Sequence, residues 1–67
     1  MRVRIDRVKL ITEMARRDLN VKTLAERAGI RRDTVSDVRS GKTCKLETAE
    51  KIAAGLGVPL ADLLTEV

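Results

Sequence analysis

The sequence of 67 residues contains no Phe, Trp, Tyr or His, and Cys44 is its only cysteine. A core without aromatic rings must be built from Leu, Ile, Val, Ala and Met. The same absence argues against RNA-recognition and single-strand-binding modules, because these stack bases on aromatic side chains. One cysteine and no histidine exclude a disulfide framework and a multi-ligand zinc site. We therefore expect no metal, no cofactor and a reducing, cytoplasmic environment.

Long apolar runs are also absent. No stretch approaches the ~20 residues of a membrane span, and the opening MRVRIDR lacks the apolar segment of a signal peptide. Without histidine, and with carboxylates spread as ordinary surface charges, no nucleophile–base pair is visible. We expect a single small domain, residues 1–67, that contacts no membrane and is not an enzyme.

The charges that are present are distributed unevenly. Residues 1–30 carry eight Lys or Arg against four Asp or Glu, residues 31–45 carry five against two, and residues 46–67 carry one against four. This asymmetry suits a domain with one face toward phosphates and another toward solvent or a partner. The alternative interpretation is a solvated surface of mixed charge.

Residues 21–40, VKTLAERAGIRRDTVSDVRS, hold the most informative pattern. Its apolar residues follow helical spacing in two groups, separated by Gly29, which can end a helix in the left-handed conformation. Ala25 is small, so the two helices can approach closely where they cross. This arrangement predicts a helix-turn-helix, which presents its second helix to DNA. The apolar positions are Leu24, Ala25, Ala28, Ile30, Val35 and Val38.

The whole chain predicts an all-α, compact five-helix domain. Asp6 and Asn20 are suited to cap the first two helices, Gly57 to end the fourth, and Pro59 to occupy the first turn of the fifth. A loop is predicted over residues 42–45. The predicted helices cover about residues 6–17, 21–28, 32–40, 46–56 and 59–64. The first helix is expected to face the core with Val8, Leu10, Ile11 and Met14, and the fifth with Leu60, Leu63 and Leu64.

The first five residues alternate between polar and apolar side chains, which predicts a short strand. A single strand needs a partner, and residues 65–67 could supply one, within the chain or across a dimer. The alternative is a frayed terminus.

The run from Asn20 to Gly41 resembles the lambda-repressor-like helix-turn-helix of the Cro/CI, or XRE, family. The resemblance continues through a fourth and a fifth helix and covers nearly the whole chain. The residues that carry it are Leu24-Ala25, Gly29-Ile30, Thr34-Val35-Ser36, Ser40-Gly41-Lys42, Leu46-Glu47-Thr48, Lys51-Ile52-Ala53, Leu56-Gly57-Val58 and Leu63-Leu64.

This resemblance implies a domain that lays its third helix in the major groove of double-stranded DNA. Members are mostly transcriptional regulators that act as homodimers on two-fold operators, and repressors and antitoxins are frequent among them. We expect a sequence-specific repressor that is nucleoid-associated when bound to DNA. The alternative is a protein-interaction module, such as an antitoxin or adaptor that binds a protein partner. The fifth helix, with Leu60 or Leu64, and the terminal strands are candidate dimer surfaces.

The outer face of the third helix supplies the candidate base-reading residues. Arg32 suits bidentate pairing with guanine, Ser36 can bond to several base edges, and Asp37 can accept from cytosine N4. The alternative is a solvated helix face. The candidates are Arg31, Arg32, Asp33, Ser36, Asp37 and Ser40.

Cations, hydroxyls and helix N-termini flanking the reading helix are candidate phosphate contacts. Their alternative role is simple solvation. These candidates are Lys22, Thr23, Arg39, Lys42, Thr43, Arg16 and Arg17.

Two positions depart from the pattern of the family, and Cys44 has two possible roles. Val21 stands where family members often carry a Gln that supports the reading residue, and Arg31 stands at the usual Ser/Thr cap. Cys44 is expected to be a small buried hydrophobe. The alternative is a redox-sensing thiol whose pKa is lowered by Lys42 and Lys45.

Overall fold

The computed structural model describes residues 1–64 of the chain. Within these residues lie four α-helices, a two-stranded antiparallel sheet and one turn of 3-10 helix. None of these helices is long and apolar enough to cross a membrane. The elements in chain order are β1 (Arg2–Val3), α1 (Arg7–Arg16), α2 (Val21–Ala28), α3 (Arg32–Arg39), β2 (Cys44–Lys45), α4 (Leu46–Leu56) and the 3-10 turn (Leu60–Asp62).

The prediction of a fifth α-helix over residues 59–64 is wrong. Pro59 is extended, with ψ 143°, and precedes the 3-10 turn instead of opening a helix. After this turn, backbone groups of Leu63 and Leu64 pair with the N-terminal segment and do not continue a helix. The backbone N–H of Asp6 donates to the Leu63 carbonyl at 2.7 Å, and Ile5 forms an antiparallel bridge with Leu64.

The predicted N-terminal strand is present, but its partner comes from the middle of the chain. Arg2 pairs with Lys45 and Val3 with Cys44, so the loop predicted over residues 42–45 is wrong for its second half. The partner proposed at residues 65–67 lies outside the described residues. Strand pairing links residues 41 and 43 positions apart, and a five-residue alternation contains no information about its partner.

The helix ends follow local capping chemistry. The Asp6 carboxylate accepts from the N–H groups of Val8 and Lys9, at 2.9 and 3.2 Å. Asn20 and Thr23 form a reciprocal capping box at the start of α2. Asp6, Arg17 and Ser40 are cap residues outside α1 and α3, which shortens the predicted helices 6–17 and 32–40.

Four helices surround a core made entirely of aliphatic side chains, Met14 and Cys44. Leu10 and Met14 bring α1 onto this core, but Val8 and Ile11 are 68% and 43% exposed, so the prediction that they face inward is wrong. A domain this small has too little protein to cover a second side of α1. The buried hydrophobic side chains among the described residues are Ile5, Leu10, Met14, Leu24, Ala25, Val35, Val38, Cys44, Ala49, Ile52, Ala53, Leu56 and Leu63.

Helices α2 and α4 approach each other closely at Gly55. Gly55 is buried within α4, and a Cβ built on it would lie 3.1 Å from the backbone nitrogen of Ala28, the last residue of α2. Only a residue without a side chain fits this crossing without displacing the neighbouring backbone. The crossing therefore fixes the end of α2, from which the turn to α3 departs.

Cys44 lies on β2 and is a buried free thiol, as expected. Burial raises the pKa of Cys44 above its ordinary value of 9.0, and the positive charge of Arg2 offsets this only in part. The alternative in which Lys42 and Lys45 activate the thiol is therefore wrong. The native β1–β2 pairing keeps a protonated thiol away from solvent.

We expect Cys44 to react with iodoacetamide roughly tenfold or more slowly in the native protein than in urea, because the thiolate is disfavoured and shielded. The unfolded chain loses the thiol proton at a lower pH than the folded chain. Folding stability therefore falls as the pH rises above 9.0. Alkylation followed by mass spectrometry, and urea melts at pH 7 and pH 10, measure both effects. Equal native and denatured rates would contradict the buried position.

Candidate nucleic-acid interface

Helix α3 has two chemically different sides. Val35 and Val38 are buried, at 0% and 1% exposure, and hold the helix against the core. All of the predicted base-reading side chains are exposed on the remaining surface. These are Arg31, Arg32, Asp33, Ser36, Asp37 and Ser40.

The start of α3 is open to a ligand. Arg31 occupies the cap position without a side-chain hydrogen bond, as its departure from the usual Ser or Thr suggests. Its carbonyl accepts from Thr34 and Val35, which leaves the N–H groups of Arg32 and Asp33 without an acceptor in the described chain. The side chains of Arg31 and Arg32 likewise have no hydrogen-bond or ion-pair partner among residues 1–64. Two guanidinium groups and a helix N-terminus therefore share one exposed end.

The end of α3 is more constrained. The Ser40 hydroxyl donates to the Asp37 carbonyl at 2.7 Å, so toward a ligand it can only accept. The Asp37 carboxylate lies 3.4 Å from the Lys42 Nζ, with both side chains more than half exposed. An ion pair this exposed is weak, so Lys42 can bind a DNA phosphate in place of Asp37. The Asp37 carboxylate would then be available to accept a hydrogen bond from a base.

Helix α2 directs its N-terminus to the surface. Asn20 accepts from the Thr23 N–H at 2.8 Å and its carbonyl accepts from Leu24. The N–H groups of Val21 and Lys22 have no acceptor in this part of the chain. Together with the exposed Lys22 side chain, these N–H groups form a site that is suited to bind a phosphate. The Thr23 hydroxyl, by contrast, is used in the capping box.

The loop after α3 is attached to the N-terminal strand. The Arg2 guanidinium donates to the Thr43 hydroxyl at 3.1 Å and to the Thr43 carbonyl at 2.9 Å. Arg2 is absent from the predicted site residues, although the alternation at the N-terminus predicts its outward position. Its contacts hold Thr43 and the exposed Lys42 in a defined place beside α3.

Two of the predicted phosphate contacts have internal partners. Arg16 and Arg17 bind the Glu13 carboxylate at 3.2 and 2.8 Å, and Arg17 also donates to the Glu13 carbonyl. A phosphate would have to compete with this pair. Arg39 is exposed and has no such partner among the described residues, so it is the better placed candidate.

Val21 is half-buried and packs against the core. It offers no polar group toward Arg32, so the supporting role that the resemblance assigns to a Gln at this position is missing. The reading helix here depends on its own side chains and on the N-termini of α2 and α3.

Two helices joined by the Gly29 turn, with an exposed arginine-bearing second helix, define a helix-turn-helix protein. The chain belongs to the family of Cro/C1-type HTH DNA-binding domains, whose sequence model matches residues 9–67. This membership confirms the resemblance seen in the sequence. No match was found among curated proteins.

Two solved structures share the fold. One is native PhpD with cadmium atoms, at 25% identity and a TM-score of 0.81. The other is PhpD with cadmium complexed with hydroethylphosphonate, at 25% identity and a TM-score of 0.80. In both, the match covers 96% of this chain but only 14% of the PhpD chain. The fold described here is thus similar to a small part of a much longer protein.

Proposed function

We propose that the protein is a sequence-specific repressor that binds double-stranded DNA with α3 in the major groove. The observation that carries this proposal is the start of α3, where the side chains of Arg31 and Arg32 are exposed and have no partner among residues 1–64, while the valines of the same helix are buried. Guanidinium groups pair bidentately with guanine O6 and N7. We assign this role first to Arg32, with Ser36 one turn further along the helix.

Phosphate contacts on both sides of α3 would set its register. The N-terminus of α2 supplies two open N–H groups and Lys22, and the loop after α3 supplies Lys42 and Thr43. Such contacts position the reading helix without carrying sequence information. Repression follows from the same contacts, because occupancy of a site is enough to exclude a polymerase.

We further propose that the protein binds as a homodimer to a two-fold symmetric operator. A single module of this size buries only about 600–1,000 Å² on DNA, and joining two half-sites multiplies the affinity. Leu60 and Leu64 are half-buried in the monomer and are candidate dimer contacts. A non-enzymatic role in the cytoplasm, at the nucleoid when DNA is bound, completes the proposal.

Selection of bound duplexes from a random pool tests the proposal directly. We expect a two-fold symmetric consensus whose half-sites lie about one helical turn, roughly 34–36 Å, apart. If roughly six phosphates are contacted, the logarithm of the affinity should fall with the logarithm of salt concentration at a slope of about −5. Failure to enrich any sequence would contradict sequence-specific binding, and an asymmetric consensus would contradict the dimer.

A protein-interaction module is the second candidate. The observation that favours it is the exposure of Val8 and Ile11 on one side of α1, since clustered exposed apolar side chains mark protein contacts. A duplex affinity that is unaffected by changes in α3 would support this alternative against DNA reading.

A further inference from the structure

The N-terminal segment carries a basic site that the candidate residues of α3 do not include. Arg4 and Arg7 line a cavity of about 480 Å³ between the start of α1 and the turn after α3, with Ser40 and Gly41 on the opposite side. We propose that this Arg4–Arg7 groove binds a DNA backbone phosphate beyond the end of the reading helix. The inference rests on the proposed function and adds a phosphate site to it.

The groove is continuous with the interface already described. The Arg7 Cδ lies 4.0 Å from the position that a Cβ on Gly41 would occupy. The side chain of Arg7 therefore lies against the turn that immediately precedes Lys42. A DNA strand that follows α3 past Ser40 would reach Arg7 next, which is why a duplex is the partner that this groove fits.

Neither arginine has a competing partner. Among residues 1–64, the side chains of Arg4 and Arg7 make no hydrogen bond or ion pair, whereas those of Arg16 and Arg17 share Glu13. The one acid among the described residues that line the groove is Asp6, and its carboxylate accepts from the N–H groups at the start of α1. The groove thus keeps two cations against one anion, and a phosphate can be bound without breaking an existing ion pair.

Backbone pairing on both sides places Arg4. Val3 is paired with Cys44 in the sheet, and Ile5 is buried and bridged to Leu64. The alternation of the first residues directs Val3 and Ile5 inward and leaves Arg4 exposed. Because the backbone at Arg4 is ordered before binding, a phosphate contact costs less entropy than one made by a free terminus.

The test compares the full-length R4A/R7A variant with the wild type and with R27A/K51A. Arg27 and Lys51 are two other exposed cations without partners in the described chain, at the far end of α2 and on α4. Affinity for the selected duplex and for a scrambled duplex is measured across a range of KCl concentrations. Variants with Gln in place of Ala at the same positions remove the charge and keep the aliphatic part of each side chain. Circular dichroism verifies the fold of each variant.

We expect R4A/R7A to weaken binding to both duplexes by roughly 10-fold at 0.1 M salt and to reduce the salt slope by about 1, since the one lost phosphate contact removes about 0.9. The ratio of the two affinities should stay constant, and R27A/K51A should leave the slope unchanged. An unchanged slope for R4A/R7A, in a protein whose wild type selects a duplex, overturns this inference alone. A wild type that prefers no duplex overturns the proposed function instead.

Discussion

Arg32→Ala is expected to lower the affinity for the preferred duplex by about 10- to 100-fold, which corresponds to about 1–3 kcal/mol for a lost bidentate contact to guanine. The reason is that Arg32 is the first residue of α3 and its exposed guanidinium has no partner in the described part of the chain, while the buried valines hold the helix against the core. Discrimination at one base pair of each half-site should relax. Binding to a set of duplexes with single base-pair substitutions measures both effects.

Two variants control this result. Arg32→Lys keeps the charge but not the planar fork, so it should retain the salt slope and lose most of the base preference. Arg27→Ala removes an equally exposed arginine from the last turn of α2 and should change neither quantity much. If Arg32→Ala leaves affinity and preference intact, then Arg32 does not read a base.

Gly55→Val is expected to lower the free energy of unfolding by about 2–4 kcal/mol, a large part of the stability of so small a domain. A Cβ at this position would already lie 3.1–3.3 Å from the backbone nitrogen, Cα and Cβ of Ala28, and valine adds two more methyl groups. Separating α4 from α2 would also shift the turn that positions α3. Urea denaturation of the variant measures the loss.

The neighbouring residue offers a matched control, since Ala54→Val introduces the same side chain at an exposed position of α4. That change should cost less than about 1 kcal/mol, the difference in helix propensity between the two residues. Gly55→Ala should fall between the two variants, because a gain in helix propensity offsets part of the contact with Ala28. Equal losses for Gly55→Val and Ala54→Val would show that the crossing tolerates a side chain.

Several parts of the fold were predictable from neighbouring residues alone. The limits of α2 and α4 agree with the spacing of their apolar residues and with the glycines that follow them. Asn20 caps α2 as expected, because capping depends on a side chain and an N–H group three residues apart. The family membership rests on the same local patterns.

The site was predictable to the extent that exposure follows from helical periodicity. The buried pair Val35 and Val38 implies which side of α3 is outward, and every base-reading candidate does lie there. The prediction of phosphate contacts was less informative. A count of cations cannot show that Arg16 and Arg17 share Glu13, nor that the side chains of Arg4 and Arg7 have no such partner within residues 1–64.

By itself, the sequence determined the helix-turn-helix, its capping and the inward and outward sides of α3, because these depend on residues within a turn or two of each other. Only the tertiary structure decided the pairing of β1 with β2, the replacement of a fifth helix by a single 3-10 turn, and the groove between Arg7 and Gly41. These features join positions tens of residues apart. Their stability comes from long-range backbone pairing and packing, which no local periodicity encodes.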